Sequence, residues 1–330
     1  MDDAEWRLLS AIARRFYLED ASKTDLASEF SMSRFRVARL LQQAREQGVV
    51  TIEIHDRDSY RSDLAADLAA HLRLQDCVVV KAGDTEESNR RVLARAAAAD
   101  IRRTVHDGDL VGFSWGRTLV AIGEELKGLP RCTLVQLTGT VGNDFTQSPV
   151  EVIRRIADRS SVETVAIFSP LFAASQAAAE SLRGDPAIQR AFALYDDLSL
   201  AVLSVGSWDP PITQLASFAT PSDRAELAGA EAKAELAGIF VREDGSLVDA
   251  SLTRRRISIS PEQLVRTPRV LAVAGSQEKA GAIAAVARSG LITSLITDDK
   301  TALSLLRTPA VAGHLLERGS VDAPSASSRS

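Results

Sequence analysis

The sequence predicts an α/β protein in two parts: a small N-terminal winged helix-turn-helix domain, then a large Rossmann-like α/β domain with a mainly parallel sheet. Three observations lead there. Short apolar runs rich in β-branched residues alternate with helical stretches across residues 57–308, and strands alternating with helices imply parallel pairing with both sheet faces covered. Residues 1–56 hold little glycine and fall into short helical patterns. The length of 330 residues suits about two domains.

In the N-terminal part, Leu8, Leu9, Ile12, Ala13 and Phe16 recur at helical spacing. Glu19-Asp20-Ala21-Ser22 breaks that pattern. Lys23–Phe30 is then a short helix burying Leu26, Ala27 and Phe30, and Ser31-Met32-Ser33 is a turn whose last residue is a good N-cap. The next helix, Arg34–Leu41, buries Val37, Leu40 and Leu41 and turns Arg34, Arg36 and Arg39 outward. Small Ala27 lets the two helices approach, so that the second presents its first turn to a major groove. From Ser31 to Val50 there are four arginines against one glutamate, in a chain whose formal net charge is −5. The positive charge is therefore placed on one element, about residues 22–46 form the helix-turn-helix, and Val49–Ile54 alternates as a strand suited to a wing. The surface expected to meet double-stranded operator DNA is Ser31, Ser33, Arg34, Phe35, Arg36 and Arg39. A small helical bundle with a solvated arginine face is the plainer alternative.

The following elements come in order. Ser62–Leu74 carries leucines at 64, 68 and 72 and predicts a linker helix within 57–75. Strands are expected at Cys77–Lys81, Asp109–Phe113, Thr133–Leu137, Thr164–Phe168, Leu198–Val205, Val270–Ala274 and Thr293–Thr297. Helices are expected at Asn89–Val105, Thr118–Leu126, Val150–Asp158 and Lys279–Arg288. The Ala-Pro-Ser-Ala-Ser-Ser-Arg-Ser ending predicts a disordered tail over 309–330. Parallel sheets bind ligands beyond the carboxyl ends of their strands, which directs attention to the loops after these runs.

Composition excludes several classes. The chain is 45% hydrophobic and 25% charged, as globular domains are, and the acidic balance argues against a protein coated in nucleic acid. Cys77 and Cys132 each sit in an apolar run and are expected to be buried thiols without a disulfide. The start Met-Asp-Asp-Ala-Glu-Trp is acidic where an export signal is basic. No apolar run reaches the roughly 18 residues that span a bilayer, so no membrane partner and a cytoplasmic location are expected. The four histidines are scattered, so no metal site and no cofactor are expected.

The sequence resembles the SorC family of sugar-responsive regulators. The N-terminal match runs from Leu26 to Val50, Leu-Ala-Ser-Glu-Phe-Ser-Met-Ser-Arg-Phe-Arg-Val-Ala-Arg-Leu-Leu and onward. It continues in Gly112-Phe-Ser-Trp-Gly-Arg-Thr118, Val135-Gln-Leu-Thr-Gly139, Ser169-Pro-Leu-Phe172, Ser204-Val-Gly-Ser207 and Ile257–Leu264. It is clearest in Val273-Ala-Gly-Ser-Gln-Glu-Lys279 and Leu295-Ile-Thr-Asp298. The ordered set covers nearly the whole chain. The resemblance implies a winged helix-turn-helix domain (1–56) and an effector domain (57–308) akin in fold to phosphosugar isomerases. It also implies a sugar, polyol or phosphorylated sugar as effector, and assembly as a homotetramer or dimer.

The effector site is expected in the strand-end loops. Ser114, Trp115, Gly116, Arg117 and Thr118 lie between a strand and a helix, where backbone N–H groups and the helix dipole suit a phosphate; a tight turn needing Gly116 is the alternative. Gln136, Thr138, Gly139 and Thr140 end the next strand. The resemblance adds Gln147 as a polar contact; relatives carry arginine at Thr138 and asparagine at Pro149, which weighs against a bisphosphate. Gly206, Ser207 and Asp209 follow another strand end, with Trp208 either stacking on a sugar or packing. Lys279 starts a helix as a phosphate or hydroxyl partner, or merely solvated. Asp298 and Asp299 are expected as cap and dipole partners of the last helix. An enzyme of the isomerase or deaminase kind needs a positioned base, and no histidine falls at an expected strand end. A passive structural DNA-binding protein fits poorly with so large a glycine-looped sheet. A ligand-controlled DNA-binding regulator, not an enzyme, is the expected function.

Overall fold

The computed structural model describes residues 3–47, 49–50, 60–142 and 148–316, and the chain divides into two units, Met1–Arg57 and Asp58–Ser330. In the first unit, α1 (Asp3–Leu18), α2 (Lys23–Glu29) and α3 (Arg34–Glu46) enclose Leu9, Ile12, Leu26, Val37 and Leu41. Ser22 starts α2 with a capping box, its hydroxyl accepting from Asp25 N at 3.2 Å while Asp25 accepts from Ser22 N at 3.0 Å. Ser31, at φ 51°, turns the chain between α2 and α3, and Ser33 caps α3 by accepting from Arg36 N at 3.2 Å. Val49 and Val50 pack beside Leu9, Ala13 and Ala44 and are not in a strand. The rest of the expected wing, Thr51–Ile54, lies outside the described residues.

In the second unit, α4 (Ser62–Leu72) leads into β1 (Asp76–Val80), α5 (Glu86–Thr104), β2 (Leu110–Phe113), α6 (Arg117–Glu125), β3 (Thr133–Gln136), α7 (Pro149–Ala157) and β4 (Glu163–Val165). Then come α8 (Gln176–Arg183), α9 (Pro186–Leu194), β5 (Leu200–Ser204), β6 (Gly206–Ser207), α10 (Pro221–Gly229), β7 (Ala234–Leu236) and β8 (Ile239–Val241). The chain continues with α11 (Ser251–Arg254), α12 (Pro261–Arg266), β9 (Arg269–Val273), α13 (Ala280–Ser289), β10 (Ser294–Asp298) and α14 (Asp299–Leu305). Among the described residues, seven strands form one sheet in the order β1-β10-β9-β5-β2-β3-β4, with every neighbouring pair parallel. The strands β6, β7 and β8 make a small antiparallel sheet beside it.

Alternate residues of each central strand serve opposite faces. Leu200 and Val202 of β5 join Leu93, Ile101, Ile122 and Ile156 from α5, α6 and α7, whereas Ala201 and Leu203 join Leu68, Ile283, Val286 and Leu305 from α4, α13 and α14. Burial on both faces is why these strands are apolar without interruption. The order of winding fixes where function can sit. From β2 the chain moves outward to β3 and β4; from β5 it moves the opposite way to β9 and β10. The neighbours β2 and β5 thus flank a topological switch point, and loops diverging from it open a crevice at their carboxyl ends.

The second unit departs from expectation in three places. Thr164–Phe168 pairs only over Glu163–Val165, because Gln136 then takes the ladder's place: its Oε1 accepts from Ile167 N at 2.9 Å and its Nε2 donates to Ile167 O at 3.1 Å. The first residues of the expected tail are ordered against the body. Val311 is buried and its N–H donates to His71 O at 2.9 Å, while Arg73 Nη1 donates to Ala312 O at 2.9 Å. Residues 317–330 lie outside the described residues. Cys132 is buried but Cys77 only half so; neither forms a disulfide, and burial pushes their thiols up to about 11 and about 12 respectively.

Candidate functional site

A cleft of about 530 Å³ opens at the carboxyl ends of β1, β2, β5, β9 and β10, a size suited to a small metabolite. Its first wall is the β2–α6 turn. Gly116 there has φ 140°, and a Cβ would lie 2.5 Å from Ser204 Oγ, which itself donates to Trp115 O at 2.9 Å. Only glycine serves at that position. No side chain caps α6, and Arg117 and Thr118 of its first turn line the cleft. A second uncapped start lies opposite, where Ser276 (φ 108°) leads into a single 3-10 turn, Gln277–Lys279, and then α13. Most other helices here are capped by Ser, Thr or Asp side chains, including Thr85, Ser148, Asp185, Thr220 and Ser260.

Asp298 organises the floor. Its carboxylate accepts from Thr301 N at 2.8 Å, Thr301 Oγ1 at 2.8 Å, Asn89 Nδ2 at 3.0 Å and Ser276 N at 3.4 Å, joining the end of β10 to α14, α5 and the loop after β9. Next to it, Asp299 accepts from Ala82 N at 2.9 Å and lies 4.0 Å from Arg61 Nη1. Arg61 immediately precedes α4, and its N–H donates to Val79 O at 2.8 Å. The cleft floor is thus joined to the start of α4.

Two further polar groups of the cleft are Glu235 and Lys279. Glu235 is 4% exposed; its carboxylate accepts from Thr213 Oγ1 at 3.0 Å and from Gly238 N at 3.4 Å. It approaches this closely because Gly206 opposes it in the small sheet, where a Cβ would stand 2.2 Å from Glu235 Oε1. Burial raises the Glu235 carboxyl above its ordinary range, against the lowering pull of Thr213, Gly238 and Lys279. Burial also lowers the Lys279 ammonium, with Arg117 adding to the effect and Glu235 opposing it. Lys279 Nζ donates to Val205 O at 3.2 Å. Arg117 pairs with Glu86 at 3.1 Å, and Glu86 with Arg90 at 2.7 Å. Four basic and five acidic side chains line the cleft, so its charge is balanced rather than strongly cationic.

A family profile, the Sugar-bind sugar-binding domain, matches residues 58–307. The chain belongs to this family. The SorC resemblance drawn from the sequence holds throughout its length. The erythritol catabolism regulatory protein EryD of Brucella abortus is 27% identical, over 94% of this chain and 99% of that one. The sorbitol operon regulator of Klebsiella pneumoniae is 26% identical, over 91% of this chain and 98% of that one. The crystal structure of full-length SorC from Klebsiella pneumoniae aligns with a TM-score of 0.70 at 23% identity, over 92% of this chain and all of that one.

Within this Sugar-bind domain, Trp115, Gly116, Arg117, Thr118, Gly206 and Lys279 of the expected effector set line the cleft. The others do not. Ser114 is buried, with its N–H donating to Val202 O at 3.1 Å. Gln136 is spent on Ile167 and Thr138 O. Thr138 is fully buried in a bridge to Ser258, Gly139 N donates to Ile257 O at 2.8 Å, and Thr140 N and Oγ1 both donate to Ser169 O. These four do follow the carboxyl end of β3, but β3 lies on the far side of β2 from the switch point, and two crossing segments cover it. Ser207 is buried in the small sheet, and Asp209 is exposed and paired with Lys233 at 3.0 Å. Trp208 packs edge-on against Phe240, with centroids 5.1 Å apart, so the packing alternative holds. Asp298 does cap α14, and Asp299 sits in its first turn. Gln147 lies outside the described residues.

Sequence reasoning missed Glu235, Thr213, Ser204, Asn89 and Ser276. Nothing local marks Glu235, because its burial depends on strands about 30 residues apart in sequence. Ser31 and Ser33, just before α3, and Arg34, Phe35, Arg36 and Arg39 on it are all exposed, and no ion pair engages the three guanidiniums among the described residues. No group of His, Cys, Asp and Glu fit to hold a metal, and no helix long and apolar enough to cross a membrane, occurs among the described residues.

Proposed function

We propose that this chain is a DNA-binding transcriptional regulator whose affinity for operator DNA is set by a sugar, polyol or phosphorylated sugar held in the cleft. Residues 1–56 serve as a winged helix-turn-helix DNA-binding domain and 57–308 as the effector domain, working in the cytoplasm as a homotetramer or dimer. The observation that carries the reading is a metabolite-sized cleft at the switch point of a Sugar-bind domain, in a chain that also carries Arg34, Arg36 and Arg39 on the exposed face of one helix.

The α6 start at Arg117 and Thr118 receives the anionic or most electronegative end of the ligand through backbone N–H groups. Lys279 and Glu235 receive hydroxyls from the body of the sugar. Because Arg117 is already paired with Glu86 and acids match bases around the cleft, a neutral polyol or a monophosphate suits it better than a bisphosphate. Ligand binding acts on DNA only through a difference in affinity between two arrangements of the protein. The transmitter is α4, through Arg61 and Asp299.

The test is a thermal-shift screen of the full-length chain against sugars, polyols and their phosphates, since a ligand bound to the native state stabilises it by mass action. Each stabilising compound is then added to the protein bound to duplexes selected from a random library. A compound that raises thermal stability and changes duplex affinity is the expected result. The absence of either effect across the screen would defeat the reading. The Glu235–Lys279 arrangement also suits acid–base chemistry on a sugar; turnover of the stabilising compound, followed by mass spectrometry, would favour the enzymatic reading instead.

A further inference from the structure

Phe35 is 89% exposed, the highest value among the exposed large hydrophobic side chains of the described residues. Single exposed hydrophobic residues are common and need no explanation by themselves. The surroundings of this one are unusual. Successive residues of a helix turn by about 100°, and α3 buries Val37, Leu41 and Ala44 on one side. Phe35 and Arg39, four residues apart, fall on the side diametrically opposite. Arg34 and Arg36 flank them to left and right, both exposed. Ser33 fixes the start of the helix, and no acid lies in its first turn. A partner for this face has to be anionic along two margins and apolar at a spot between them. The major groove of duplex DNA has that arrangement: phosphates along both rims, and the 5-methyl group of thymine on its floor.

We propose that Phe35 is a base-reading residue that packs its ring against the 5-methyl group of a thymine, with Arg34 and Arg36 on the backbone phosphates and Arg39 on a neighbouring base. The inference rests on the DNA-binding reading above and adds the base feature that the helix recognises. Four residues of helix advance about 6 Å, and successive base pairs about 3.4 Å. The thymine is therefore one or two steps from the base that Arg39 reads. Phe35 adds no charge, so it contributes to sequence preference and not to the electrostatic part of binding.

Deoxyuridine tests this directly, because it keeps the pairing edge of thymine and its O4 and lacks only the methyl. Duplexes are selected from a random library with the full-length protein. The best one is remade with deoxyuridine replacing thymine one position at a time. Affinities are measured for the wild type, Phe35→Ala and Arg39→Ala, with thermal unfolding to verify that each variant is folded. The expected result is one thymine per half-site whose replacement weakens wild-type binding about fourfold, the effect of losing one buried methyl. Phe35→Ala should be insensitive to that replacement, Arg39→Ala should remain sensitive, and the salt dependence of Phe35→Ala should match the wild type. Tight duplex binding with no deoxyuridine-sensitive position, or equal sensitivity in Phe35→Ala, overturns this proposal and leaves the DNA-binding reading standing. A change of oligomeric state in Phe35→Ala, with duplex preference intact, overturns it in favour of a protein contact. Failure to select any duplex overturns both readings.

Discussion

At the scale of single residues, the cleft is defined by side chains held in states that water would not favour. Glu235 is the sharpest case. Its carboxyl is raised by burial, so the folded protein binds a proton there more readily than the unfolded chain does. The sign of the linkage follows: stability associated with this group is fully present below the unfolded carboxyl value and is lost as pH rises through the folded one. Glu235→Gln keeps a polar amide beside Thr213 and removes the charge. It should unfold a few degrees higher than the wild type at pH 8, with the gap closing as pH falls towards 4.5, the ordinary glutamate value. A gap independent of pH, read by thermal unfolding from pH 5 to 8, would mean that burial does not shift Glu235 in this way. Lys279 and Thr118 face the same cleft. Lys279→Ala and Thr118→Ala should each weaken effector binding while leaving affinity for DNA in the absence of effector unchanged. An undiminished thermal shift with the cognate compound would remove the substituted side chain from the site.

At the scale of elements, each helix terminus and strand end carries a separable task. Arg36→Ala and Arg39→Ala remove cations from the exposed face of α3 without touching its core. Each should weaken duplex binding, and Arg36→Ala, which gives up a phosphate contact, should also lower the slope of log affinity against log salt by about 0.9; unchanged affinity in both variants would displace α3 from the interface. The strap over residues 309–316 ties the last helices to α4. Val311→Ala should destabilise the protein by about 1–2 kcal/mol, since it empties part of a buried site, measurable by urea denaturation.

Legibility in the sequence follows this same scale. Each of the seven main-sheet strands overlaps one of the seven apolar β-branched runs; in the central strands this is because a parallel sheet buried on both faces permits no polar alternation, whereas the exposed edge strand β4 matches its run only at Thr164 and Val165. The small β6–β8 sheet was not legible: strands of two or three residues cannot carry a period. The helices α9, α10 and α12 were marked by the pairs Asp185-Pro186, Thr220-Pro221 and Ser260-Pro261, an N-cap before a first-turn proline, but that signal is short and easily passed over. In the site, the carboxyl edge of the sheet was readable, whereas strand order was not. Gln136 and Thr138 therefore lie at the carboxyl edge but across β2 from the cleft.

At the scale of the whole molecule, the question is how occupancy of the cleft reaches DNA. A ligand that closes the cleft draws the loops carrying Ala82 and Ser276 towards Lys300 in the first turn of α14, where Ala82 N donates to Asp299 and Ser276 N to Asp298. That point touches α4 through the Arg61–Asp299 pair at 4.0 Å. The pair is partly exposed and contributes little to stability on its own, which makes it suitable for a coupling test. Asp299→Asn retains an acceptor for Ala82 N and loses the attraction to Arg61. Coupling free energies between sites are typically about 1–3 kcal/mol, a change in affinity of about 5- to 150-fold. In the wild type, saturating ligand should shift duplex affinity within that range. In Asp299→Asn the ligand should bind within about twofold of its wild-type affinity, yet shift duplex affinity several-fold less. Because coupling is reciprocal, saturating duplex should also alter ligand affinity less in the variant than in the wild type. A variant that retains the full shift in both directions would place the transmission elsewhere: in the strap at Val311, or in the packing of α13 and α14 against α4.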